Sequence, residues 1–307
     1  MGKRETGQMG SVQPIRREMA GPFVVLAVMI VAQLGAVSHV WSQDKAAPAE
    51  KASGRFEKRV FKDATGTHHY QVFLPAGYDA DRKYPVILYL HGADSCGRNG
   101  VKPTEIGLGP FVRARAAEFP FIVVFPQCET IRGRRFLERW QSGAPDAERA
   151  LKILDEVEKV YSVDRQREIL TGWSMGGYGA WSLGAAHPQR WAAVVPVSGG
   201  GDVTRVAALK NVPVWAVHGP EDRIVFPQRS REMVKALTQA GGSVRFDEPD
   251  GEGHLVWRRV YDSQVLETWL GNPRGVLPAA GQTLVARGTR LPQELQEFVP
   301  AVHIAGA

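Results

Sequence analysis

The sequence predicts an α/β protein, with a mostly parallel sheet carrying helices on both faces and an antiparallel hairpin at one edge. Three observations lead there. Short apolar runs alternate with helical stretches along most of the chain. The later runs are continuous, as in strands buried on both faces of a parallel sheet. The first two alternate in polarity about a turn signal, as in a hairpin. The 307 residues, 44% hydrophobic and 23% charged, exclude disorder as the main state and suffice for one large domain or two small ones.

Taken in order, residues 1–42 read as a signal peptide or an amino-terminal anchor. The run 21–37 has no charge and only Gln33 as a strongly polar residue, and it follows Arg16 and Arg17. Ser38 is small, and Val40 with Ser42 forms a small-x-small site, so removal after Ser42 is expected. Export to the periplasm or the cell exterior follows whether or not the segment is cleaved; an uncleaved segment would tie the protein to a membrane. The arginine pair also fits twin-arginine export, and with no cysteine near the cleavage zone a bacterial lipid anchor is not expected. Residues 43–54, rich in Ala, Lys, Pro and Gly, form a linker to a single domain at 55–270.

Within the domain, strands are expected at 56–62 and 69–74, joined by a turn from Asp63 to Gly66, and then at 85–90, 121–125, 168–173, 192–197, 212–217 and 243–247. The clearest helix runs from Asp146 to Tyr161, where Ala147, Leu151, Leu154, Val157 and Val160 or Tyr161 recur at three and four residues and make one apolar stripe. Others are expected at 105–118, 176–187, 229–240 and 257–270. The tail 271–307 shows no convincing periodicity beyond a short helix at 292–298. In such a sheet, ligands bind beyond the carboxyl ends of the strands, so the loops after strands are where chemistry belongs.

Charge and cysteine usage narrow the function. Lys plus Arg number 38 against 32 Asp plus Glu, a net of +6. Residues 1–42 hold +2 of this, and the rest is spread without a basic block interleaved with aromatics, so a nucleic-acid partner is not expected. Cys96 and Cys128 are too few for a disulfide framework and lack the paired spacing of a zinc site.

Gly172-Trp173-Ser174-Met175-Gly176-Gly177 lies between a strand and a helix of small residues. A serine on so tight a turn projects its hydroxyl at the amino end of a helix, where developing negative charge is favoured. A nucleophilic serine needs a base, and the base needs an orienting carboxylate. Asp222 follows the strand 212–217 and His254 follows the strand 243–247, giving the chain order Ser, Asp, His. Glu221 and Asp202 are the competing carboxylates. His91 and His218 also follow strands, but each precedes glycine and is read as bracing its loop.

These residues, together with Leu90-His91-Gly92-Ala93, Val124-Phe125-Pro126-Gln127-Cys128, His218-Gly219 and Gly253-His254, give the chain a resemblance over residues 56–270. It resembles the α/β-hydrolase superfamily, near feruloyl esterases, dienelactone hydrolases, polyhydroxybutyrate depolymerases and predicted peptidases. The resemblance implies the α/β-hydrolase fold and hydrolysis through an acyl-enzyme without metal or organic cofactor. It also implies an oxyanion hole from the backbone N–H groups of Met175 and Ala93. Many relatives have a further glycine where this chain has Asp94-Ser95-Cys96, a departure that leaves the second donor open and brings Asp94 toward the acyl site. In that fold the strands 85–90 and 121–125 are neighbours, so Cys96 and Cys128 reach one sheet edge, either bridged or as buried free thiols.

Trp181, Trp191 and Trp215 are read as core. Asp94, Trp140 and Trp173 are the substrate-binding candidates, Trp140 as an aromatic wall in a cap segment at 132–145 or as a structural residue. Arg134, Arg135 and Arg139 in that segment either face solvent or hold an acidic substrate. The expected activity is cleavage of a small-molecule or polymer-linked carboxylic ester. The rivals are a peptidase of the same fold, which would need more room around the scissile bond than the insertion 127–145 offers, and a catalytically silent surface binding module.

Overall fold

A computed structural model of the chain describes residues 52–129, 136–262 and 266. The expected leader, most of the linker, Arg134 and Arg135 of the cap, the tail and its short helix lie outside the described residues. Eight strands form one sheet: β1 (Arg55–Asp63), β2 (Gly66–Leu74), β3 (Tyr84–Leu90), β4 (Ile122–Phe125), β5 (Val163–Trp173), β6 (Ala193–Val197), β7 (Val214–Val217) and β8 (Val244–Asp247). Their order across the sheet is β1-β2-β4-β3-β5-β6-β7-β8. β1 pairs antiparallel with β2 and β2 antiparallel with β4, and every other neighbouring pair is parallel. All eight expected strands are present, with the expected edge hairpin. Its turn is fixed by Asp63, whose carboxylate accepts the Thr65 N–H at 2.7 Å.

The alternation of side chains along buried strands divides the core between the two faces of the sheet. Val86, Leu88 and Leu90 of β3 pack on one face with α2 (Pro145–Val160), α3 (Met175–Ala186) and α4 (Gln228–Gln239). Ile87 and Tyr89 point to the opposite face, against α1 (Leu108–Ala114) and α5 (Trp257–Tyr261). Most of the stripe expected on α2 is buried: Ala147, Leu151, Leu154 and Val157 join the first face and Tyr161 packs against it partly buried, whereas Val160 is exposed. At about 1.5–3 kcal/mol for each large aliphatic side chain removed from water, this packing outweighs anything intrinsic propensity contributes to the helix.

β2 begins at Gly66, three residues before the expected start, and α1 ends at Ala114, four before the expected end; two further differences have clear local reasons. β5 begins at Val163, because Val163 pairs with Tyr84 before a register shift to Val86 and Glu168. Its exposed polar start carries no apolar signal. α1 begins only at Leu108, because Gly107 adopts φ 75° and the preceding Lys102–Thr104 forms a separate 3-10 turn. Among the described residues, no helix is long and apolar enough to cross a membrane.

Candidate active site

Ser174 follows β5 directly and precedes the first residue of α3. Its backbone has φ 58° and ψ −117°, a region costing a non-glycine residue about 1–3 kcal/mol. Two features hold it there. The Ser174 N–H donates to the Val197 carbonyl of neighbouring β6 at 2.9 Å, and the helix packs so closely on β3 that a Cβ at Gly176 would overlap the Leu90 carbonyl oxygen. A glycine two residues after the serine is therefore required by the crossing of helix and strand.

The loops after β7 and β8 come together in the same way. A Cβ at Gly219 would overlap the carbonyl oxygens of Glu252 and Gly253, and the Glu221 N–H donates to Glu252 at 3.0 Å. That contact brings Asp222 and His254 side by side. His254 Nδ1 lies 2.7 Å from Asp222 Oδ2, and Nε2 lies 3.0 Å from Ser174 Oγ. A carboxylate only accepts, so Nδ1 carries the hydrogen and Nε2 is left to accept the hydroxyl of Ser174. The His254 carbonyl receives the Trp173 indole N–H at 2.7 Å and the Ser198 hydroxyl at 3.4 Å, and the Trp173 ring packs on the imidazole with centroids 5.0 Å apart.

Asp222 is 3% exposed. Burial pushes its carboxyl up, but hydrogen bonds from His218, His254 and the Val225 N–H outweigh burial and hold it well below the usual carboxylate range. The competing carboxylates lie elsewhere. Glu221 is exposed beside it, and exposed Asp202 accepts the Thr204 N–H and hydroxyl in its own turn.

Met175 opens α3 and Ala93 opens a 3-10 turn, Ala93–Ser95. The first N–H groups of a helix have no partner inside it, so both can serve a ligand. The Ala93 amide is aimed by His91. His91 Nδ1 lies 2.6 Å from the Gly92 carbonyl and Nε2 accepts the Cys128 N–H at 2.9 Å, so the ring hydrogen sits on Nδ1. Because the peptide is planar and trans, fixing the Gly92 carbonyl fixes the Ala93 N–H in the opposite direction. Gln127 completes the brace: its amide donates to the Ser95 carbonyl at 2.8 Å and accepts the Gly100 N–H at 2.7 Å. The segment after β4 thus supports the loop after β3.

His91 is fully buried, and burial lowers it to about 4 despite the Gly92 carbonyl and Asp146. The unfolded chain would bind this proton near the ordinary imidazole value of about 6.5 and the folded chain only near 4, so the stabilisation is complete above about pH 6.5 and lost as pH falls toward 4. Buried Glu168, raised to about 7 by burial, contributes with the opposite sign, so the parent's own pH slope is a sum. A comparison isolates His91: the stability gap between parent and His91→Asn should narrow by about 3 kcal/mol between pH 7 and pH 4. Urea unfolding at the two pH values measures this, and a constant gap would exclude His91 as the titrating group.

The three substrate-binding candidates take different places. Trp140 is corrected from an aromatic wall to a structural residue: its ring is fully buried, its indole N–H donates to the His91 carbonyl at 3.0 Å, and it meets His91 edge-on. Trp173 lies between His254 and Gly92, within the site but committed to holding it. Asp94 is half-buried in the same loop, its carboxyl raised by burial and partly lowered by hydrogen bonds from Ser95 and by the nearby His254. Arg139 does not wait for an acidic ligand, because it pairs with buried Asp146 at 3.0 Å. Trp181, Trp191 and Trp215 are core residues, as expected.

Cys96 and Cys128 are buried free thiols within hydrogen-bond reach of each other at this sheet edge. Among the described residues, no group of three His, Cys, Asp or Glu side chains is arranged to hold a metal ion. Reading the sequence missed Ser198 and Ser230. Ser198, at φ 47°, is left-handed like Ser174 and stands before three consecutive glycines, the one local signal that could have pointed to it.

Comparison with known proteins places the chain by family. The esterase family model matches residues 64–248, more than half of the chain. A bifunctional acetylxylan esterase/xylanase of Neocallimastix patriciarum is 28% identical over 152 residues, covering 49% of this chain and 21% of that protein. A dipeptidyl-peptidase 5 of Porphyromonas gingivalis is 28% identical over 172 residues, covering 54% and 24%. The chain therefore spans about a fifth to a quarter of the length of these curated relatives. The crystal structure of a thermostable esterase superposes with a TM-score of 0.63 at 30% identity, covering 70% of this chain and 62% of that one. With a family match across the sheet and the loops that carry Ser174 and Asp222, the chain belongs to the esterase family of the α/β-hydrolase superfamily.

Proposed function

We propose that the chain is an exported serine hydrolase that cleaves carboxylic esters through an acyl-enzyme on Ser174. The observation that carries the reading is the line from Ser174 to His254 to Asp222, in which the two hydrogen bonds leave only one direction for proton transfer. Ser174 Oγ attacks the ester carbonyl while its proton passes to His254 Nε2. The resulting oxyanion is held by the N–H groups of Met175 and Ala93. Collapse of the tetrahedral intermediate breaks the bond to the alkoxy oxygen, which leaves as the alcohol with the proton from Nε2. A water molecule, deprotonated by the same nitrogen, then attacks the acyl carbon, and the acid is released as Ser174 regains its hydrogen. Asp222 keeps the imidazole in the required tautomer throughout. The steps need no metal or organic cofactor.

The relative from N. patriciarum is named for acetylxylan, a polymer-linked ester, and we propose a small-molecule or polymer-linked ester for this chain as well. Export rests on the composition of residues 1–42, and membrane attachment would follow only if that segment stays in place.

A peptidase is the second reading, favoured by the similarity to dipeptidyl-peptidase 5. The same acyl-enzyme forms from an amide, but an amine is a poorer leaving group and must be protonated by a well-placed imidazolium, whereas an aryl or short-acyl ester leaves readily. The test is a panel of esters of varied acyl length and aromaticity run beside short unactivated peptides. The best ester should exceed the best peptide in kcat/KM by at least about 100-fold. Equal efficiencies would overturn the ester assignment.

A further inference from the structure

Resting on the serine reading above, we propose that His218 is a positioning residue of the same site, clamping Asp222 and sharing its charge with His254. His218 follows β7 directly and is fully buried. Its Nε2 lies 3.1 Å from Asp222 Oδ2 and 2.8 Å from the Val225 carbonyl oxygen. Both neighbours only accept, so Nε2 carries a hydrogen directed at the same carboxylate oxygen that receives the His254 Nδ1–H. The other oxygen, Oδ1, receives the N–H groups of Ile224 at 2.8 Å and Val225 at 2.9 Å. Among the described residues, these four are the donors on Asp222.

The ring itself is anchored from behind. Its Nδ1 lies 2.7 Å from Ser230 Oγ in α4, and that hydroxyl is 2.8 Å from the Gly199 carbonyl in the loop after β6. His218 therefore ties together the end of β7, the 222–225 loop, the first turn of α4 and the loop after β6. A carboxylate held only by His254 could rotate about its side-chain bonds. One held from four directions presents Oδ2 to Nδ1 in a fixed position.

The sharing of Oδ2 has an electrostatic consequence. Each donor on a carboxylate oxygen takes up part of its charge, so His218 limits how strongly Asp222 favours the protonated form of His254. Other ionisable groups face the pair: Tyr178 on α3 toward Asp222, with Arg229 and Glu232 of α4 near its phenol, and Asp94 toward His254. None of them is among the donors on Asp222.

The experiment compares His218→Leu, which removes the donor at similar volume, with His218→Gln, whose amide reaches the position of Nε2, and with Ser230→Ala, which releases the back of the ring. In His218→Leu, kcat should fall about 10- to 100-fold with KM changed less than about threefold. Its acid limb of kcat/KM should move to higher pH by about half a unit or more, since Asp222 then acts on His254 alone. His218→Gln should restore most of both effects, and Ser230→Ala should move the limb the same way by less. A merely structural role would lower stability and kcat but leave the limb in place. An unmoved limb in Leu, or a Gln variant no better than Leu, overturns the inference; if Leu does not fold, an unmoved limb in Ser230→Ala does so. Labelling of the parent with a fluorophosphonate separates the two readings. An unlabelled parent overturns the serine reading and this inference with it, whereas a labelled parent with an unmoved limb overturns this inference alone.

Discussion

Ser174→Ala is expected to fold as the parent does, to lose about 10,000-fold or more of its ester turnover, and to take up no fluorophosphonate. Folding should survive because the features that hold residue 174 are backbone ones, namely its N–H on the Val197 carbonyl and the close approach of Gly176 to Leu90. Among the described residues, the hydrogen-bond partner of the hydroxyl is His254 Nε2 at 3.0 Å. On the proposed mechanism the variant keeps the Met175 and Ala93 N–H groups and the His254 base with no nucleophile between them, enough to bind an ester and orient it poorly for water. His254→Ala should cost nearly as much, since the members of such a unit are not additive. Circular dichroism establishes the fold and mass spectrometry the labelling. Persistent labelling of the alanine variant would mean that the nucleophile is another residue.

Much of this arrangement was legible in the sequence because buried parallel strands are continuous apolar runs, and the chemistry follows them at one edge. Each expected strand is present, and of the three residues read from strand ends, His254 lies within hydrogen-bond distance of both Ser174 and Asp222. Four things escaped. The extension of β5 to Val163 has no apolar pattern because its residues 164–167 are not fully buried. For Trp140 the place in a long connection leaves an aromatic wall and a structural role both open, and only the fold shows the buried carbonyl that its indole N–H satisfies. The bonds from Ser198 and Ser230 depend on tertiary proximity of segments 31 to 56 residues apart, which no local period encodes. The role of Gln127 was hidden in the same way. Its residues were recognisable as a motif after β4, but the reason for the side chain is the loop 95–100 that it clamps.

Asp222→Asn is the substitution expected to do most harm for least change of shape, about 10,000-fold in kcat/KM on the best ester. All four contacts of the Asp222 carboxylate are donors: the two imidazole N–H groups on Oδ2 and the Ile224 and Val225 N–H groups on Oδ1. An asparagine can satisfy only one side. If its NH2 faced the backbone, it would meet two amide hydrogens that cannot move elsewhere. The side chain must therefore keep its oxygen on the backbone amides and turn its NH2 toward the histidines. An imidazole, unlike a backbone amide, can respond by changing tautomer. His254 Nδ1 would become the acceptor, its hydrogen would move to Nε2, and the nitrogen facing Ser174 would donate instead of accepting. The serine would then have no base although every atom except one would be in place. Stability should change far less than activity, and fluorophosphonate labelling should slow in parallel with ester turnover. An asparagine variant retaining activity within about tenfold of the parent would show that Asp222 does not orient the base.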